Sequence, residues 1–232
     1  MFDPNRIGKD RKVDLVFCID GTGSMSPCFD SVKRNAKRFY TDFVKALSDN
    51  RDTVDMLRIK VIVFRDYKSD GAQSMTESVF FELPSEDGEF AAYLDNLRAT
   101  GGCGEDANGL EALYYAMKSD FVATGRYDRQ VITLFADTTA IPLRDRKKYA
   151  GYPSEMPDED GLLEMWQCTQ RYPTKLRDRN KRLVIFAPAK TVYEKMHQNY
   201  DRSIFRPVEM HRGLDNVSFD DIIKLIAASV AA

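Results

Sequence analysis

The chain has only two histidines, four cysteines and one tryptophan in 232 residues, and no apolar run approaches the roughly 20 residues a membrane-crossing helix needs. Each shortage removes a class of function. Cys18, Cys28, Cys103 and Cys168 contain no Cys-x-x-Cys pair, so a zinc cluster or dithiol redox centre lacks its usual ligands, and reduced thiols are expected. There is no basic excess either: 34 Lys and Arg stand against 36 Asp and Glu, for a formal charge of -2. A nucleic-acid partner would usually demand the opposite balance. The basic stretches Arg144 to Lys148 and Arg177 to Arg182 are interrupted by Asp145 and Asp178, as solvated faces are. The opening Met-Phe-Asp-Pro-Asn-Arg has no apolar core of a secretion signal, so a cytoplasmic protein without membrane attachment is expected. Gly21-Thr22-Gly23 lacks both the third glycine of a dinucleotide loop and a following Gly-Lys-Ser/Thr, which leaves nucleotide-binding loops without support.

What is present is a regular alternation. A chain of this length buries roughly 70 to 75% of its unfolded surface, enough for a substantial core. Apolar runs at 13–19, 57–64, 131–136 and 183–187 read as buried strands, 78–83 as an antiparallel neighbour of 57–64, and 204–208 as the last strand. Between them, Phe29, Val32, Ala36, Phe39, Phe43 and Leu47 recur at helical spacing, with Pro27 placed for a first turn. Phe90, Tyr93, Leu94 and Leu97 mark a second helix. Leu110, Leu113, Tyr114, Met117 and Phe121 mark a third, whose first turn is expected to carry Asp106. Phe219, Ile222, Ile223, Ile226 and Val230 mark a closing helix. The expected class is α/β: a doubly wound, mainly parallel six-stranded sheet with one antiparallel edge strand and helices on both faces. The connection from Thr138 to Arg182 is longer than an ordinary crossover; it carries Leu162, Leu163, Met165 and Trp166 on a helix and leaves directly from the Asp137 turn.

Chemistry concentrates at the end of the first strand. Asp20, Thr22 and Ser24 fall on alternate positions of Asp20-Gly21-Thr22-Gly23-Ser24, putting three oxygen-bearing side chains on one turn. Carboxylate and hydroxyl oxygens suit a hard cation, Mg²⁺ first, with Mn²⁺ or Ca²⁺ as substitutes. This turn resembles the first segment of the metal-ion-dependent adhesion site in the von Willebrand factor A (vWA) family. Gly101-Gly102-Cys103-Gly104-Glu105-Asp106 resembles the approach to the second segment, and Phe135-Ala136-Asp137-Thr138 the third.

The resemblance covers nearly all of 1–232, read as a single vWA domain with an extended crossover insertion at about 138–182. It implies that Thr22 and Ser24 are hydroxyl ligands, that Asp106 replaces the more common Thr as a direct ligand, and that Asp20 and Asp137 act mainly through bound water. Three carboxylates within about 5 Å would repel by roughly 3 kcal/mol per pair at an effective dielectric of 20, a cost a divalent ion removes. The function so implied is a Mg²⁺-dependent protein-interaction adaptor, not an enzyme, whose partner completes the metal site with Asp or Glu. The Asp20 to Met25 turn and Phe64-Arg65-Asp66-Tyr67 resemble intracellular vWA proteins associated with tellurite resistance and stress or conflict systems, with AAA+ ATPase, kinase or phosphatase partners. One enzymatic alternative stands: Cys18-Ile19-Asp20-Gly21-Thr22 also resembles the first motif of haloacid-dehalogenase-like phosphatases, with Asp20 as acid/base but Cys18 in the nucleophile's place. His197 and His211 lie far from all three turns in sequence.

Overall fold

Val13, Leu15, Phe17 and Ile19 point to one side of the first strand and Val16 and Cys18 to the other, and all are buried. A strand apolar on both faces requires a helical layer on each. The computed structural model describes residues 11–101, 106–143 and 149–232 and supplies both layers. Strands β1 (Lys12–Asp20), β2 (Met56–Phe64), β3 (Met75–Glu77), β4 (Phe81–Leu83), β5 (Arg129–Phe135), β6 (Lys181–Pro188) and β7 (Ser203–Val208) form one sheet in the order β3-β2-β1-β5-β6-β7, with β4 also paired to β2. Pairings among β2, β1, β5, β6 and β7 are parallel. One face carries α1 (Ser26–Asn35), α2 (Phe39–Asp49), α4 (Asp87–Asn96) and α8 (Phe219–Ala231); the other carries α5 (Gly109–Met117), α6 (Glu159–Trp166) and α7 (Val192–Asn199), while a single turn, α3 (Tyr67–Asp70), follows β2. No helix among the described residues is long and apolar enough to cross a membrane.

Three expectations need adjustment. The sheet has seven strands rather than six, because the antiparallel edge is split. Phe81 pairs with Ile59, but Glu77 rather than Ser78 pairs with Ile62, so one extra residue is accommodated on the edge. Ser78 fills the gap: its N–H donates to the Val61 carbonyl and its Oγ accepts from the Val61 N–H, each at 2.9 Å. This is a β-bulge at a sheet edge. The long amphipathic stretch after β1 is α1 and α2 joined by a tight 3₁₀ turn at Ala36–Arg38, and its six apolar positions are all buried. Finally, α5 begins at Gly109, so Asp106 precedes the helix instead of lying in its first turn. Asn108 sets that boundary, its N–H donating to the Arg65 carbonyl and its Oδ1 accepting from the Tyr67 N–H, both at 2.8 Å.

The 138–182 connection contributes to the core through its helix. Leu162, Met165 and Trp166 of α6 are buried with Met156 and Leu176 in the layer that holds α5. Trp166 stacks on Tyr200, and its Nε1 donates to the Asp201 Oδ1 at 2.9 Å. The end of the second basic stretch is also structural: Arg182 Nε donates to the Ser229 carbonyl at 3.0 Å, and buried Lys181 Nζ to the Trp166 carbonyl at 2.7 Å, while Arg177 and Arg179 are exposed. Arg144 to Lys148 lies outside the described residues.

Candidate functional site

From β1 the chain winds outward to β2, then returns past β1 to add β5 on the other side. Connections leaving β1 and β5 therefore diverge, opening a crevice at the C-terminal ends of these strands, where open α/β sheets hold ligands. Asp20 is the last residue of β1, and Asp137 lies two residues beyond β5. Both are 0% exposed.

Hydroxyls join the two acids. The Thr22 N–H donates to Asp20 Oδ1 at 2.9 Å, Thr22 Oγ1 and Ser24 Oγ stand 3.4 Å apart, and Ser24 Oγ donates to Asp137 Oδ1 at 3.1 Å. Four of the five expected residues are thus brought into one hydrogen-bonded chain. Asp106 is half-buried on the adjoining segment, where Ala107 forms a parallel bridge with Ala140, three residues past Asp137. Among the described residues no group of three or more Asp, Glu, His or Cys side chains is arranged to hold a metal. The connected core of the site is a carboxylate pair bridged through Thr22 and Ser24, with Asp106 on the neighbouring segment ahead of α5.

Several contributors were not apparent from the motif. Thr138 Oγ1 donates to Asp20 Oδ2 at 3.3 Å. The loop between β7 and α8 grips Asp137, with the Gly213 N–H on its Oδ2 at 2.9 Å and the His211 N–H on its carbonyl at 2.8 Å. His211, distant in sequence, is therefore at the site through its backbone. Arg65 anchors the glycine-rich approach, donating from Nε to the Thr100 carbonyl and from Nη2 to the Arg98 carbonyl, each at 2.8 Å. Its guanidinium explains Gly21: a Cβ there would come within 3.0 Å of Arg65 Cζ and 2.6 Å of Val63 Cγ1. Gly23 faces open space, so the turn needs only one of its glycines for close approach. Only the glycine in Arg212-Gly213-Leu214 offered a sequence signal for the second loop.

Gly213 has φ +55, and a Cβ there would fall 2.4 Å from the Ser24 carbonyl oxygen. Gly213→Ala is expected to lower stability by about 1–3 kcal/mol, the usual cost of left-handed strain together with a clash. Urea unfolding checks this; an unchanged midpoint would mean the loop is not held against the Ser24 turn.

Burial pushes the Asp20 carboxyl up to about 6, the Asp137 charge adds to the rise, and hydrogen bonds from Thr22 and Thr138 oppose it. Among the described residues, the donors reaching both acids are neutral hydroxyls and amides. Mg²⁺ is commonly bound through one or two carboxylates while retaining water, so this donor set fits it. Cys18 does not resemble a nucleophile: it is fully buried, its thiol donates to the Ala112 carbonyl at 3.7 Å, and burial drives its pKa upward. The phosphatase alternative is accordingly not favoured. Cys18, Cys28 and Cys168 are free thiols, and Cys103 lies outside the described residues.

No family model matches the chain, and no curated protein does. Solved structures do. The pilus adhesin SpaC of Lactobacillus rhamnosus GG, in its open conformation, aligns with a TM-score of 0.54 at 13% identity, over 97% of this chain and 30% of the adhesin. A von Willebrand factor type A protein from Catenulispora acidiphila aligns with a TM-score of 0.52, also at 13% identity, over 96% of this chain and 43% of that one. The chain thus spans less than half the length of these structures, and the likeness is one of fold: a vWA-like, Rossmann-type α/β sheet.

Proposed function

We propose that this chain is a divalent-cation-dependent protein-interaction module. In this reading Asp20, Thr22, Ser24, Asp106 and Asp137 hold Mg²⁺, and an Asp or Glu side chain of a partner protein completes its coordination. The carrying observation is the buried Asp20–Asp137 pair joined through Ser24 and Thr22 at the β1/β5 crevice. Two carboxylates held 0% exposed, with neutral donors alone among the described residues, are costly unless a cation shares their charge. A bound Mg²⁺ would supply a positive centre with exchangeable water positions. The chain's own part is to fix the oxygens: Thr138 and the Thr22 amide orient Asp20, while Gly213 and His211 orient Asp137.

Recognition is favoured over catalysis because Cys18, which stands in the nucleophile's place, is sequestered, and a vWA-like fold with an adhesin among its neighbours suits binding. The resemblance of the Asp20–Met25 turn extends the proposal to a cytoplasmic stress or conflict-response adaptor with an AAA+ ATPase or a kinase or phosphatase module as partner.

Calorimetric titration with Mg²⁺ tests the cation half of the proposal. Wild type should bind, and Ser24→Ala should bind at least about 10-fold more weakly, since the substitution removes a ligand and the bridge to Asp137. Affinity capture with Mg²⁺ or with chelator then tests the other half. A partner retained only by wild type with Mg²⁺ supports metal-bridged docking; one retained equally with chelator would overturn it.

A further inference from the structure

Tyr193, in the first turn of α7, is 0% exposed, and its hydroxyl meets no hydrogen-bond partner among the described residues. Buried hydroxyls ordinarily find one. Its position is specific. The hydroxyl lies against Gly109 at the start of α5, so close that a Cβ on that glycine would fall 2.0 Å from it, and Phe64 Cε2 borders the same spot at 3.3 Å. Phe64 is the register partner of Asp20, and its carbonyl accepts the Gly21 N–H at 2.7 Å. The hydroxyl therefore lies between the start of α5, three residues after Asp106, and the ring of Phe64 at the end of β2, the strand beside Asp20. The electrostatic neighbourhood agrees: burial first, then the nearby Asp20, Glu111 and Asp106 carboxylates, raise the Tyr193 hydroxyl well above its ordinary pKa and keep it a donor.

Resting on the cation reading above, we propose that Tyr193 is a positioning residue for the ion, its hydroxyl donating to a water held between the ion and the Asp20 and Asp106 carboxylates. Gly109 leaves the space the hydroxyl occupies. A donor on a metal-held water fixes that water's orientation and strengthens the carboxylate contacts it makes, and such outer partners commonly change metal affinity by about 10-fold or more.

Tyr193→Phe separates this role from packing, because the ring is kept and only an unpartnered hydroxyl is lost. Without metal, the variant should melt at or above the wild-type temperature. With metal, its Kd for Mg²⁺ by calorimetry should be about 10-fold weaker. Water-proton relaxation in a Mn²⁺ titration should also change, since the hydration of the bound ion is altered. An unchanged Kd and relaxation would overturn the assignment, and a lower metal-free melting temperature would place Tyr193 in the core alone. If wild type binds no Mg²⁺, the cation reading falls and this one with it; if wild type binds and the variant binds equally, only this inference is lost.

Discussion

Asp20→Asn is expected to stabilise the metal-free protein at pH 7.5 by about 3 kcal/mol and, at the same time, to remove its response to Mg²⁺. Burial raises the Asp20 carboxyl from an ordinary 3.8 to about 6. The unfolded chain therefore releases this proton near pH 3.8, whereas the metal-free folded protein keeps it until about pH 6. Across that window the folded state binds more protons, so stability falls as pH rises. Above the window both states are ionised and the full penalty of the buried charge is present. Asn has no charge to bury, while its carbonyl can still accept from the Thr22 amide and its amide can turn towards Thr138. The stabilisation should therefore vanish below about pH 4, where Asp20 is protonated in both states.

Mg²⁺ adds the opposing half of the prediction. At about 100 times its dissociation constant a ligand stabilises the folded state by roughly 2.7 kcal/mol, and only wild type retains the carboxylate to use it. Chemical unfolding in chelator and in Mg²⁺, at pH 4 and 7.5, checks all four corners. A variant less stable than wild type in chelator at pH 7.5 would mean that Asp20 is a structural acceptor and not a charge held for a cation.

Asp14→Ala is expected to cost about 3–5 kcal/mol, a large fraction of the stability of an ordinary domain. Asp14 lies within the apolar run of β1 and is 0% exposed. Its carboxylate accepts from Arg58 Nε at 2.7 Å and from the Val122 and Ala123 amides at 2.7 and 2.9 Å. Truncation leaves an arginine and two amides without their acceptor, and those orphaned groups, more than the lost attraction, set the cost. Asp14→Asn keeps one good acceptor and should lose less. Urea midpoints of the two variants give the comparison; equal, small losses would show that water replaces the carboxylate. Because Asp14 sits at the opposite end of β1 from Asp20, Mg²⁺ affinity should be unchanged in either variant that folds.

The contrast between Asp14 and Asp20 shows what could be read without a structure. Both are acids on one strand, but only Asp20 was followed by Gly-Thr-Gly-Ser, so only it carried a local pattern. Asp14 depends on Arg58 and on the 122–123 amides, more than 40 residues away along the chain. Thr138 and the backbone of His211 and Gly213 escaped notice for the same reason. Asp106 shows the converse: its motif was legible, but the extended path through Ala107 and Asn108 depends on pairing with Ala140 and Arg65, which no local spacing encodes. The split edge strand likewise follows from Ser78 satisfying Val61, a cross-strand event hidden in an otherwise ordinary β-run.

The sequence by itself determined the alternation of strands and helices, the two-sided burial of β1 and the oxygen-rich turn at its end, because hydrophobic period and turn chemistry are properties of neighbouring residues. Only the tertiary structure decided the rest: that Ser24 meets Asp137, that a distant loop grips that acid, and that the Tyr193 hydroxyl lies against Gly109. Those contacts exist because the sheet order places β1 beside β5, and which strands become neighbours is set by how the whole core closes.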